Sequence, residues 1–80
     1  MTRKELERKV IDILFKYTVV IVTMDSNIYD DLGVDSLDIE SIEEEIKDKI
    51  GLELHWTTWD RFWCTKPTVT DLCDFIEREL

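Results

Sequence analysis

Ser36 is the side chain in this sequence with the clearest chemical prospect, because of what stands around it. It follows Leu32-Gly33-Val34-Asp35 and precedes Leu37-Asp38-Ile39-Glu40, where a glycine turn gives way to an acidic amphipathic pattern. Aspartate is a preferred N-cap residue, so Asp35 caps a helix and Ser36 falls at its first position. Backbone N–H groups there have no intrahelical partner, and the macrodipole favours negative charge. A phosphodiester on the Ser36 hydroxyl would sit where a helix end already accommodates an anion. The plainer reading is that Asp35-Ser36 is a capping pair and nothing more.

Other chemistries find little to work with. His55 is the only histidine and has no recognisable nucleophile partner, so it reads as a surface or pocket-rim residue. Cys64 and Cys73 are too far apart for a Cys-x-x-Cys motif, and with one histidine they form no zinc set. Both read as reduced thiols of a cytoplasmic protein. Asp25, Asn27, Tyr29 and Asp30 superficially suggest a calcium loop. That loop needs Gly at its sixth position and Glu at its twelfth, where the chain has Asp30 and Ser36. No nucleophile–base pair or metal site emerges, and the expectation is a protein that is not an enzyme.

Ten basic and nineteen acidic side chains among 80 residues give a net charge of −9. Such a surface repels nucleic acid and suits partners with Lys/Arg patches. The length fits one domain, residues 1–80, with a modest core. Two glycines and one proline favour helix over sheet, and the 44% hydrophobic content argues against disorder. Met1-Thr2-Arg3-Lys4-Glu5 leads into a mixed-charge helix rather than a signal peptide, and no apolar run approaches membrane-spanning length. A monomer is expected.

The elements that would position Ser36 follow from periodicity. Thr2 and Glu5 make a capping box for a first helix, whose buried face is Leu6, Val10, Ile13, Leu14 and Tyr17. Val19-Val20-Ile21-Val22 would ordinarily read as a strand, but has no second strand to pair with. It is expected to be the end of the helix passing into an extended buried segment. Met24 to Val34 has loop chemistry, with Ile28 and Leu32 as anchors. The second helix is predicted over Ser36 to about Ile50, with Ile39, Ile42, Ile46 and Ile50 as a core stripe and Gly51 as C-cap candidate. Leu37 projects almost opposite that stripe, alongside Ser41, Glu44 and Asp48. It is either a stray exposed leucine or a contact for partners.

Trp56, Trp59, Phe62 and Trp63 fall on one side of a short third helix, which Thr57 or Thr58 could cap. They are core packing, or they line a pocket. In the second reading that face meets Ile42 and Ile46 of the second helix in an apolar cleft near Ser36, which the indoles themselves partly fill. Pro67 and Thr68 then introduce a last helix, capped by Thr68 with Asp71 in its first turn. Its buried face is predicted as Val69, Leu72, Cys73, Ile76 and Leu80.

A Gly33-Val34-Asp35-Ser36-Leu37 turn near the middle of a short acidic helical chain resembles the modification site of acyl carrier proteins. The resemblance covers nearly the whole chain. It implies an all-α, four-helix bundle with a long loop between the first two helices and a short third helix. It implies 4′-phosphopantetheine attached to Ser36 by a phosphopantetheinyl transferase, flanked by Asp35 and Leu37. The arm would carry an acyl-type intermediate as a thioester in fatty acid, polyketide or related biosynthesis. Partner enzymes with basic patches would dock on Leu37, Asp38, Ser41, Glu44 and Asp48, and Ile42, Ile46, Trp59, Phe62 and Trp63 would form the cargo pocket. Glu40 and Glu44 stand where carriers of primary fatty acid synthesis usually have apolar residues, and Lys47 where they are usually acidic, so the docking surface is altered. The stretch Thr58-Trp59-Asp60-Arg61-Phe62-Trp63-Cys64-Thr65-Lys66-Pro67 is faintly similar to D-alanyl carrier proteins. Two alternatives therefore stay open: an aminoacyl carrier, and a small acidic helical interaction domain that is never modified.

Overall fold

Capping chemistry sets where the helices begin. In the computed structural model, which describes residues 1–80, the chain forms four α-helices and no strand. Helix α1 spans Arg3–Phe15, α2 Ser36–Ile50, α3 Trp56–Trp63 and α4 Val69–Glu79. Thr2, Asp35 and Thr68 each close a capping box at the start of α1, α2 and α4. Gly51 ends α2 in the left-handed conformation at φ +86°, which favours glycine. The architecture is the expected all-α bundle with a long α1–α2 loop and a short α3.

The core sits between α1, α2 and α4, with α1 packed on both of the others. Leu6, Val10, Ile13 and Leu14 meet Ile39, Ile42, Ile46 and Ile50 of α2 and Val69, Leu72, Cys73 and Ile76 of α4. Ile28 and Leu32 are buried and anchor the long loop as predicted. The loop is also tied to the start of α4. Ile28 N–H donates to Pro67 C=O and Val69 N–H to Ser26 C=O, both at 3.0 Å.

Four expectations about burial are corrected. The Val19–Val22 run is not a buried segment: Val19 is 102% and Ile21 84% exposed, and only Val22 packs on the core. Helix α1 stops at Phe15, where Lys16 N–H turns back to Ile13 C=O and Tyr17 N–H to Leu14 C=O. β-branched residues are stiff at χ1, which lowers their helix propensity, and buried Leu32 lies beside Val19 and Val20 on that side. Leu80 lies beyond the last turn of α4 and is exposed, while Phe75, absent from the expected face, is buried. Phe75 is drawn inward by α3, stacking on Phe62 at 4.3 Å between ring centroids.

Tyr17 is half-buried rather than core, and its hydroxyl donates to Glu45 of α2. Lys16 Nζ at 2.6 Å and Lys49 Nζ at 2.8 Å donate to the same carboxylate. Burial alone would raise the Glu45 pKa; the three donors override it and hold it down at about 2. A carboxyl whose folded pKa lies below its unfolded value of ~4.3 stabilises the fold above that pH. The contribution is lost as pH falls from about 4.5 towards about 2. Because both lysines are half exposed, Glu45→Gln should cost only about 1 kcal/mol at pH 7. It should also shrink the fall in Tm between pH 5 and pH 2.5. Melting curves for both proteins across that range check this, and parallel acid profiles would contradict it.

Candidate functional site around Ser36

The loop before α2 is fixed by its own backbone. Gly33 N–H donates to Tyr29 C=O at 3.1 Å and Val34 N–H to Ile28 C=O at 3.2 Å. Gly33 turns at φ +69°, and buried Val34 pins the chain on the core side. Asp35 Oδ1 then accepts the N–H groups of Leu37 and Asp38, each at 3.0 Å, and Asp38 Oδ2 accepts the Asp35 N–H at 3.4 Å. None of these capping bonds uses the Ser36 hydroxyl. Val34 below and Ile39 above are buried, so the exposed Ser36 is held outward on a rigid helical start.

Leu37 beside it is 75% exposed. Ser41, Glu44 and Asp48 are exposed further along α2, and at helical spacing they share the face of Leu37. Asp38 is half-buried and partly committed to the capping box. Of the proposed docking residues, four thus lie along one open face and the fifth braces its beginning.

A hollow of about 320 Å³ opens beside Ser36, lined by Tyr29, Ser36, Ile39, Glu40, Glu43, Trp56, Asp60 and Trp63. A neighbouring hollow of about 310 Å³ shares Glu40, Glu43 and Trp56 and is walled also by Trp59. The expected pocket residues are distributed unevenly over this ground. Trp63 lines the hollow at Ser36 and Trp59 the adjoining one. Phe62 lies on the other side of α3, against Phe75. Ile42 and Ile46, at 0% and 1% exposure, are closed inside the core and line neither hollow. Trp56 stands at the rim, 69% exposed, rather than within a common aromatic face.

Helix α3 is capped by His55, not by Thr57 or Thr58. His55 Nδ1 accepts the Thr57 N–H at 3.3 Å and lies 2.8 Å from the Thr57 hydroxyl. The indoles of Trp59 and Trp63 stack at 5.8 Å with an interplanar angle of 14°, filling the space the cleft would have used. Trp63 Nε1–H donates to Glu43 Oε2 at 2.8 Å, stitching α3 to α2. Burial pushes the Glu43 carboxyl above its ordinary pKa; the indole N–H opposes this, while Glu40 and Asp60 add to it.

Tyr29, Ile39, Glu40, Glu43 and Asp60 are the lining residues that sequence reasoning left out. Glu40 and Glu43 stand four and seven positions after Ser36, on its own helical face, so a signal for them existed. Tyr29 and Asp60 arrive from the loop and from α3, and no local pattern announces them.

An exposed hydroxyl on the first turn of a helix, with space beside it, fits covalent attachment of a phosphopantetheine arm. No basic side chain lines the hollow, so the helix end and solvent would have to carry the phosphate charge. Cys64 is exposed and free, and Cys73 is buried and free, its thiol pushed up to about 11 chiefly by burial. No helix is long and apolar enough to cross a membrane. Compared with models of protein families and with curated proteins, the chain finds no match.

Proposed function

We propose that this protein is a carrier, modified with 4′-phosphopantetheine on Ser36, and that it presents an acyl-type cargo to partner enzymes without catalysing a reaction itself. The observation that supports this most is the Ser36 hydroxyl, outward on a capped and buried-anchored helix start, free of the capping bonds and opening onto a hollow. When bound, the group supplies a flexible arm whose terminal thiol holds the cargo as a thioester. The residues of the chain orient and present. Asp35 and Asp38 fix the first turn of α2, and Leu37 offers an apolar contact at the attachment point. Ser41, Glu44 and Asp48 extend an acidic face for the basic patches of a transferase and of acyl-transferring or chain-extending enzymes.

The rate of loading tests the reading. Incubated with coenzyme A and a broad-specificity phosphopantetheinyl transferase, the protein should gain the mass of one arm. A chain that keeps its mass is the unmodified interaction domain instead. Reversing Asp38 and Glu44 to lysine should slow loading by roughly tenfold at low ionic strength, because steering charges act mainly on encounter. The deficit should shrink at high salt, where such charges are screened. Loading rates indifferent to both changes would move the docking face elsewhere.

A further inference from the structure

We propose that a second hollow, between α3 and α4, binds a small aromatic carboxylate carrying a single negative charge. It has a volume of about 270 Å³ and is lined by Thr58, Arg61, Phe62, Thr65, Phe75 and Arg78. That is near the lower end of the ~300–1,000 Å³ usual for small-molecule pockets.

Spacing explains why these residues meet. Thr58, Arg61, Phe62 and Thr65 stand at i, i+3, i+4 and i+7, on one face of α3 and just beyond its end. Phe75 and Arg78 stand three apart on α4. Each helix therefore brings one phenyl ring and one guanidinium to the same place. The rings of Phe62 and Phe75 stack at 4.3 Å between centroids with an interplanar angle of 18°. Phe75 is buried and Phe62 half-buried, so Phe62 offers the accessible part of the stack. The guanidinium carbon of Arg78 lies over the Phe75 ring, 5.8 Å from its centroid.

Charge sets this hollow apart in a chain of net charge −9. Each of the other three hollows is lined by three or four carboxylates and at most one lysine; this one has two arginines and no acid. Unpaired bases occur elsewhere on the surface, but Arg61 and Arg78 face a common space. Neither is engaged in an ion pair. A guanidinium presents a planar fork of N–H donors that matches a carboxylate, and a ring attached to that carboxylate would lie against Phe62.

The basic ground is no wider than the hollow, which decides the size and charge of the occupant. On the same two helices, Asp60 lines the hollow at Ser36, Asp71 sits in the α4 capping box, and Asp74 and Glu77 reach Arg3 of α1. Glu79 follows Arg78 in the last turn of α4. An acidic protein surface or a multiply charged anion would meet these carboxylates, whereas a molecule with one acid group meets only the arginines.

The test uses the unmodified protein, so its result is independent of whether Ser36 is loaded. Isotope-labelled protein is titrated with benzoate, with benzamide, which keeps the ring without the charge, and with inorganic phosphate, which has charge without a ring. Benzoate should saturably shift the backbone amides of Arg61, Phe62, Thr65, Phe75 and Arg78, with a Kd on the order of 1 mM, within reach of a ligand of about nine non-hydrogen atoms. Benzamide and phosphate should each bind about tenfold or more weakly, the effect of losing one charge-assisted or one ring contact. Arg61→Gln combined with Arg78→Gln should weaken benzoate about tenfold and leave benzamide unchanged. Both arginines are exposed and unpaired, so the fold survives. Equal affinity for benzoate and benzamide, or for benzoate and phosphate, overturns the proposal. So does benzoate binding that the double variant leaves unchanged, or shifts centred on Lys4 and Lys9 of α1. An acetylated Glu-Phe-Glu amide that binds more tightly than benzoate would also overturn it, making the hollow a protein contact instead.

Discussion

Trp59→Ala should leave the protein largely unfolded near 37 °C. The Trp59 side chain is 4% exposed and packs on Trp63 at 5.8 Å and on Phe75 at 5.3 Å between ring centroids. Truncating a buried tryptophan to alanine costs ~3–5 kcal/mol, from lost transfer free energy and from the cavity left behind. A domain of this length has a total stability of only ~4–12 kcal/mol. Ile42 and Ile46 of the same core are already fully enclosed, which leaves them little freedom to move into the gap. Trp56→Ala is the matched control. That indole is mostly in solvent, and its loss should shift stability by no more than ~0.5 kcal/mol. Urea titrations followed by far-ultraviolet circular dichroism separate the two. Equal midpoints would mean that α3 is not seated on the core as described.

Ser36→Ala should abolish loading while leaving the fold intact, a complete loss against a change in stability within ~0.5 kcal/mol. The hydroxyl takes no part in the capping bonds, and Asp35 continues to hold the N–H groups of Leu37 and Asp38. Alanine is also a better helix former than serine, which offsets any small loss at the first position. Loading of the alanine variant at the wild-type rate would show that another hydroxyl is the acceptor. Loss of helical signal in the variant would mean instead that Ser36 serves the fold.

Helices, caps and the outward aim of Ser36 and Leu37 were readable from the chain because each follows from local spacing. A hydroxyl or carboxylate at the N-cap and isoleucines three and four residues apart are signals contained within one turn or two. What was not readable depends on contacts between elements. Val19 and Ile21 look like core residues by type, yet both are exposed, and the loop residue Leu32 is the one buried on the side of Val19 and Val20. Phe75 turns inward because α3 brings Phe62 to stack on it, a partner thirteen residues away in the chain. His55 outcompetes Thr57 as the α3 cap through a ring nitrogen, a less common capping group than a hydroxyl. The hollow at Ser36 was anticipated as a cleft between α2 and α3. Its walls proved acidic and aromatic, since the isoleucine stripe of α2 is buried on the side of α1 while Glu40 and Glu43 line the side of α3.

Whether Ser36 carries the arm is decided by fragment-ion mass spectrometry of the wild-type protein after loading. One added phosphopantetheine per chain is expected, on the fragment containing Gly33-Val34-Asp35-Ser36-Leu37 and assigned to Ser36. An arm found on Ser26 or Ser41, or a chain that emerges with its mass unchanged, would exclude Ser36 as the acceptor.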